Sequence, residues 1–493
     1  MIQKTAPLGS HSGEKELCRS RDPPQAENPA SGILFYEQIP VKEEKAVDLL
    51  NGNVKTTYFK YLSAAFGSAL ISSIYGIVDM AMVGQYQGPS GTAALAVVAP
   101  IWNIIYSLGL LTGVGGSVLF GTARGQGKKG DGYFSAALIG TVFLAAVSWG
   151  GIVFFDTQLL ELFGAEETLL PLAKQYLFPV KFAVPLFLFN QMLAAFLRND
   201  NHPGLATAAV LAGGVFNVFG DYYFVFSMDM GIMGAGLATA LGALVTFLVM
   251  LLHFGSAQNS LKFAWPKHLV IKLRRILTTG FSTFFIDIAM GILTMLFNRQ
   301  IMRYAGTDAL SVYGVIVNIS TIVQCCAYSV GQAAQPIISI NFGAGKGARI
   351  RQTLKYALSA TCFFSIIWTL LMFAFPNGFI RIFMAPTEEV LHIAPFIMRS
   401  YGLSFLLLPL NIFSTYYFQS LLKPLASFFV SLTRGLIVSG ILIQILPVIL
   451  GADALWFAMP VTEVIVAAAV IYLIRRYTRE LSGNKEKISS NFQ

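Results

Sequence analysis

The sequence predicts an all-α polytopic membrane protein, with twelve transmembrane helices in two parallel six-helix repeats around a central cavity. Three observations predict it. Of 493 residues, 55% are hydrophobic and only 12% are charged, about half the charge of a soluble protein of this length. Apolar stretches recur along the chain, each long enough to supply the ~20 residues a helix needs to cross the hydrocarbon core. The second half also repeats the first: GTARGQGKKGDGYFSAAL (121–138) returns about 220 residues later as NFGAGKGARIRQTLKYAL (341–358). Gly125 falls on Gly345, Gly127 on Gly347 and Leu138 on Leu358. At the same offset Phe196, Gly231 and Ala238 fall on Tyr416, Gly451 and Ala458.

Residues 1–55 are polar, charged and rich in Pro, Gly and Ser, and lack the positive-then-apolar-then-cleavage order of a signal peptide. They read as a disordered cytoplasmic arm. The first half, 56–254, holds apolar stretches at roughly 58–84, 93–120, 134–155, 170–196, 204–227 and 231–254. A cytoplasmic linker, 255–275, leads to the second half, 276–476. That half holds stretches at roughly 276–302, 309–339, 354–376, 394–420, 425–449 and 454–474 before a cytoplasmic tail, 477–493. None alternates apolar and polar residues as the strands of a membrane barrel do.

Positive charge orients the twelve spans. Linkers after even-numbered spans carry Arg124, Lys128, Lys129, Arg198, Lys262, Lys267, Lys272, Arg274, Arg275, Lys346, Arg349, Arg351, Lys355 and Lys423. The opposite linkers carry mostly acids: Asp156, Glu161, Glu166, Glu167, Glu388, Glu389 and Asp453. The basic side faces the cytoplasm, which puts both termini there and the protein in the plasma (inner) membrane. The net charge of +9 then reflects topology and attraction to anionic lipid, with no basic domain to hold nucleic acid. Six spans per half is an even number, so both halves enter the membrane with the same polarity, related by an axis along the membrane normal. A duplicated bundle with its sites at the seam is how many secondary carriers are built.

Catalytic chemistry has no support. Gly125-Gln126-Gly127-Lys128-Lys129-Gly130 spells a dinucleotide-binding pattern, yet it follows a membrane helix and not a strand, so it reads as a tight turn. There is no GxxxxGK[ST] loop, no HExxH and no CxxC. The cysteines (Cys18, Cys325, Cys326, Cys362) have no metal-type spacing. We expect no enzyme activity, no cofactor and no metal beyond a coupling Na⁺.

Charges inside spans are expensive unless paired or wet, which makes each a functional candidate. By the ~1.5 Å helical rise, Asp79 lies roughly 30 Å and Asp221 roughly 25 Å from the basic side, with Thr239 near the same level. Asn217 and Asp221 are four apart and share a helix face. Two carboxylates, an amide oxygen and a hydroxyl at one depth suit Na⁺, and equally suit a proton shared between carboxylates. Asn217 and Thr239 also read as helix glue. Arg434 and Glu463 both come out near mid-membrane and should pair, first as structural neutralisation. Lys181 and Asp287 sit near mid-depth, one in each half, either facing the central cleft as cargo-binding groups or held by neighbours. The abundant Phe and Met (40 and 15) suit an adaptable drug cavity and lipid contact alike.

Several motifs resemble one family. Gln335-Pro336-Ile337, Asn341-Phe342-Gly343-Ala344 and Arg349 are similar to the QPI…N-(Y/F)-G-A…R signature of the multidrug and toxic compound extrusion (MATE) transporters, bacterial branch. Val78-Asp79-Met80-Ala81-Met82-Val83-Gly84 resembles that family's first-helix motif, Arg198-Asn199-Asp200 with Pro203 its loop after span 4, and 231–239 its GxxGAAxAT. Trp456, Pro460 and Glu463 resemble its last helix. The resemblance covers roughly 50–476. It implies a twelve-helix antiporter of two lobes that exports cationic amphipathic drugs in exchange for Na⁺ or H⁺; a lobe pair that encloses its own cavity needs no partner subunit, so a monomer is expected. It also implies that Asp79, Asn217, Asp221, Thr239 and Tyr176 form the cation site. Span 10 carries no acid, so no second cation site is expected there. A flippase for a lipid-linked or endogenous metabolite is the alternative within carriers; its cavity would want more bases than Lys181 and Arg434. A receptor or passive channel is the alternative outside them. The duplication itself is unequal in chemistry: Asn217, Asp221 and Thr239 fall on Ile437, Ile441 and Met459.

Overall fold

The computed structural model describes residues 48–165, 167–384 and 386–483. The expected arm and tail therefore lie largely outside the described residues. Among the described residues, twelve helices are long and apolar enough to span a membrane. They are α1 (Val54–Gly88), α2 (Ser90–Gly125), α3 (Asp131–Phe154), α4 (Leu170–Asn199), α5 (Pro203–Ser227) and α6 (Gly231–Gly255) in the N-lobe. In the C-lobe they are α7 (Leu269–Tyr304), α8 (Gly306–Gly343), α9 (Gly347–Ala374), α10 (Glu388–Ser420), α11 (Pro424–Leu450) and α12 (Ala452–Leu481). Two short helices, Asp156–Leu162 and Pro376–Phe383, lead into α4 and α10. The side chain of Asn53 accepts the Lys55 and Thr56 amides and so starts α1, satisfying donors that no helical carbonyl can reach.

The repeat is written in the backbone as well as the sequence. Left-handed residues close corresponding corners: Gly88 and Gly306, Gly127 and Gly345, Asn201 and Leu422, Gly231 and Gly451. The closing hydrogen bonds match too, Lys128 to the Ala123 carbonyl and Lys346 to the Asn341 carbonyl. This pairs Gly127 with Gly345, two positions away from the 220-residue register. A helix end fixes its register by the residue that must turn with φ > 0, which glycine does without strain, and not by letter-for-letter identity.

Each lobe has two apolar clusters stacked along its axis. One pair holds Val98, Tyr176 and Leu188 in the N-lobe and Phe297, Tyr401 and Trp456 in the C-lobe. The pair nearer the basic linkers holds Phe120, Phe134 and Phe196, and Ile337, Tyr417 and Phe418. The lobes meet at this basic end, backbone on backbone. A Cβ on Gly280 would collide with the Leu111 carbonyl, and one on Gly343 with the Thr122 carbonyl. Small residues permit such approach between membrane helices. Farther along α2, Ile104 and Tyr106 are exposed, whereas Leu110 to Ala123 are buried. The seam is sealed at the basic end and parts towards the other.

Candidate functional site

Four N-lobe helices converge on the acid cluster. Small residues on α6 bring it close: a Cβ on Gly236 would strike the Tyr176 carbonyl of α4, and one on Gly242 the Gly213 carbonyl of α5. Thr239, between these two glycines, is thereby pressed against α4 and α5. Asp221 ends the regular part of α5, and a π-helical turn, Tyr222–Ser227, follows it. Such turns often mark functional sites.

The Tyr176 hydroxyl donates to Asp79 Oδ2 at 3.0 Å. Asn217 Nδ2 donates to Thr239 Oγ1 at 3.2 Å and to Asp221 Oδ1 at 3.4 Å. Asp79 and Asp221 lie within electrostatic reach of one another, and both act on Tyr176. Asp221 is fully buried and Asp79, Tyr176 and Asn217 nearly so. Three oxygens remain without a donor: Asp79 Oδ1, Asn217 Oδ1 and Asp221 Oδ2. An unsatisfied buried acceptor is expensive, and acceptor oxygens of this kind are what a proton or a hard cation takes up. The five residues that the sequence singled out for the cation site are thus brought together.

Arg434 and Glu463 pair inside the C-lobe. Nε donates to Oε1 at 2.8 Å, and Asn411 Nδ2 donates to the other carboxylate oxygen at 2.6 Å. Arg434 lies in a π-helical turn of α11, Thr433–Ile437. Lys181 and Asp287, considered together for the cleft, are placed apart. Lys181 reaches Asp156 at 3.5 Å and lies over the Phe178 ring, so an acid of the α3–α4 connection takes it up. Asp287 sits where α7 faces Tyr328 of α8, with Tyr106 of α2 and Tyr416 of α10 in electrostatic reach. One of its oxygens has no donor.

Sequence reasoning missed a polar knot at the basic end. Asp200 accepts from Arg124 Nη1 at 2.8 Å, His253 Nε2 at 2.7 Å and the Ser260 amide at 3.0 Å, and also bonds the Ser260 hydroxyl. Burial pushes its carboxyl up, but the bonds from His253 and Ser260 and the Arg124 charge outweigh that and hold it below the usual carboxylate range. Asp200, His202 and His253 form the one metal-like trio among the described residues. The Asp200 lone pairs are already spoken for by these donors, so the trio reads as a staple between α2, α4 and the linker. Its only sequence signal was Asp200 within the motif after span 4.

A sequence profile described as MatE matches residues 64–223 and 283–445. The chain belongs to the MatE family. The two matched segments are offset by about 220 residues, the period of the internal repeat. The multidrug export protein MepA of Staphylococcus saprophyticus is 22% identical over 417 residues, 83% of this chain and 91% of that protein. MepA of Staphylococcus aureus is 22% identical over 415 residues, 82% and 91%. Among solved structures, an outward-facing multidrug resistance MATE transporter of the MOP superfamily superposes with a TM-score of 0.83 at 18% identity, covering 89% of this chain and 99% of that one. A MOP superfamily transporter from Pyrococcus furiosus, described as having a binding pocket of reverse polarity, gives 0.82 at 18% identity, with the same coverage. At that identity the likeness concerns the fold alone, a two-lobe arrangement of twelve spanning helices.

Proposed function

We propose that this MatE protein is a secondary active exporter in the plasma membrane. It carries small cationic, amphipathic compounds outward in antiport with Na⁺ or H⁺, by alternating access, and a single copy suffices. The observation that carries this reading is the buried cluster of Asp79, Asn217 and Asp221 with three acceptor oxygens that no protein donor satisfies. A cation or proton binds at that cluster, where Tyr176 and Thr239 complete the polar wall. Occupancy there drives transport only if the ion binds one lobe arrangement better than the other, because free energy passes between two ligands through their differential affinity. Asp287 supplies the negative charge for a cationic cargo at the seam, and the rings of Tyr106, Tyr328 and Tyr416 suit the cargo's flat apolar part. The export activity named for the MepA relatives agrees with this reading.

The test is transport of a cationic dye in proteoliposomes under separately imposed Na⁺ and H⁺ gradients. Uptake that follows one gradient and ignores the other identifies the coupling ion. Uptake that follows neither, with correctly inserted protein, rejects the antiport reading.

A further inference from the structure

The family signature on α8 and α9 has no part in the cation site, yet its side chains are fully occupied. Residues Asp48–Asn53 precede α1, and α8 and α9 hold them. The Leu49 carbonyl accepts from Asn341 Nδ2 at 3.0 Å and from Arg349 Nη2 at 3.1 Å. Arg349 Nε donates to Asn341 Oδ1 at 3.1 Å, so the two side chains close a triangle on one backbone oxygen. Lys346 Nζ donates to the Leu50 carbonyl at 3.0 Å and to Asn51 Oδ1 at 2.8 Å. Asp48 shapes the segment from within, accepting the Leu50 and Asn51 amides at 2.9 and 3.0 Å. The Leu49 side chain is 2% exposed and packs in the C-lobe cluster with Ile337, Ile350 and Leu354.

The attachment crosses the seam. The far half of α1 belongs to the N-lobe, where Asp79 meets Tyr176. Its foot belongs to the C-lobe: Tyr58 and Tyr61 lie in the same cluster as Leu49, and Tyr58 stacks on Tyr356 of α9. Tyr61 also reaches back across to the Arg198 carbonyl of α4 at 3.1 Å. No proline interrupts α1 between Val54 and Gly88, and non-helical φ/ψ is reached only at Gly88, so one continuous helix joins the foot to the acid. Opening the basic end requires α8 and α9 to leave α2 and α4. The segment must then either release the C-lobe or drag α1 with it.

We propose that Asp48–Asn53 is a strap that holds the basic end closed, with Asn341, Lys346 and Arg349 as positioning residues that set the balance between the two openings. The proposal rests on the alternating-access reading above, so its test reads conformation independently of transport. In a cysteine-free background, spin labels at Lys129→Cys and Lys355→Cys report the separation of the lobes at the basic end. With the strap intact, one short distance dominates. Lys346→Ala with Arg349→Ala removes charge-assisted bonds, which are the stronger kind, and should raise the longer-distance population about tenfold. Arg349→Lys, which keeps the charge but on a single nitrogen, should fall between. A distance distribution that the double variant leaves unchanged, in protein that remains monodisperse, overturns the strap.

A second experiment does not depend on weakening the fold. Asn51→Cys and Lys346→Cys, joined by a short reducible bis-thiosulfonate, fix the strap in place. Dye transport should stop on cross-linking and return on reduction. Transport that continues through a closed cross-link overturns the proposal. If the cysteine-free parent, with Asn51 and Lys346 intact, moves no dye, the antiport reading fails, and the spin-label distances still decide the strap.

Discussion

Arg434 and Glu463 form an ion pair at 2.8 Å in which the side chains are 5% and 0% exposed. Two charges so far from water persist because each compensates the other and Asn411 satisfies the remaining carboxylate oxygen. Removing one partner leaves an uncompensated buried charge, at a loss of about 3–5 kcal/mol. Arg434→Met and Glu463→Leu should each lower the melting temperature of the purified protein strongly, and the double variant should recover most of the loss. Two losses that simply add would mean that the pair does not act as a unit.

Asp79→Asn and Asp221→Asn keep the shape of each side chain while adding a donor and removing a charge. Each should cut dye efflux at least about tenfold, the effect of losing roughly 1.4 kcal/mol of ion binding, with insertion and melting temperature little changed. Tyr176→Phe removes one hydrogen bond, worth about 0.5–1.5 kcal/mol, and should shift the ion concentration for half-maximal transport only a few-fold. Efflux that survives both acid substitutions would place the coupling site elsewhere.

The Asp200 knot predicts a pH dependence of stability. Its carboxyl is held below the ordinary range by His253, Ser260 and Arg124. A depressed folded value contributes stability that is fully present above the unfolded value, about 3.9, and is lost as pH falls through the folded one. Wild-type melting temperature should therefore drop as pH falls below about 4. Asp200→Asn should be less stable at neutral pH and lose less on acidification. Parallel pH profiles would show that Asp200 contributes nothing through its charge.

The seam is sensitive to a single methyl group. Gly343→Ala sets a Cβ against the Thr122 carbonyl, and Gly280→Ala sets one against the Leu111 carbonyl. Backbone cannot step aside as a side chain can, and overpacking of this kind costs about 1–3 kcal/mol. Both variants should lengthen the label distance at the basic end. A variant that melts earlier but keeps the short distance would show the strain absorbed within one lobe.

The sequence by itself determined the axial coordinate of nearly everything. Hydropathy found the spans, and the fixed helical rise placed Asp79, Asp221 and Thr239 at one level and Arg434 beside Glu463. Both placements needed only a count of residues from a helix end. The same counting put Lys181 and Asp287 near mid-depth but could not tell that Lys181 turns to Asp156 while Asp287 faces the tyrosines of the seam. Rotation about a helix axis and the choice of neighbour are set by packing, by which small residues let which backbones meet, and no span carries that information alone. The turn register at Gly127 and Gly345 and the Leu49 carbonyl held by Asn341 and Arg349 belong to the same class. The motif was visible from the start, but its partner lies about 300 residues away, and only the folded chain decides that the two meet.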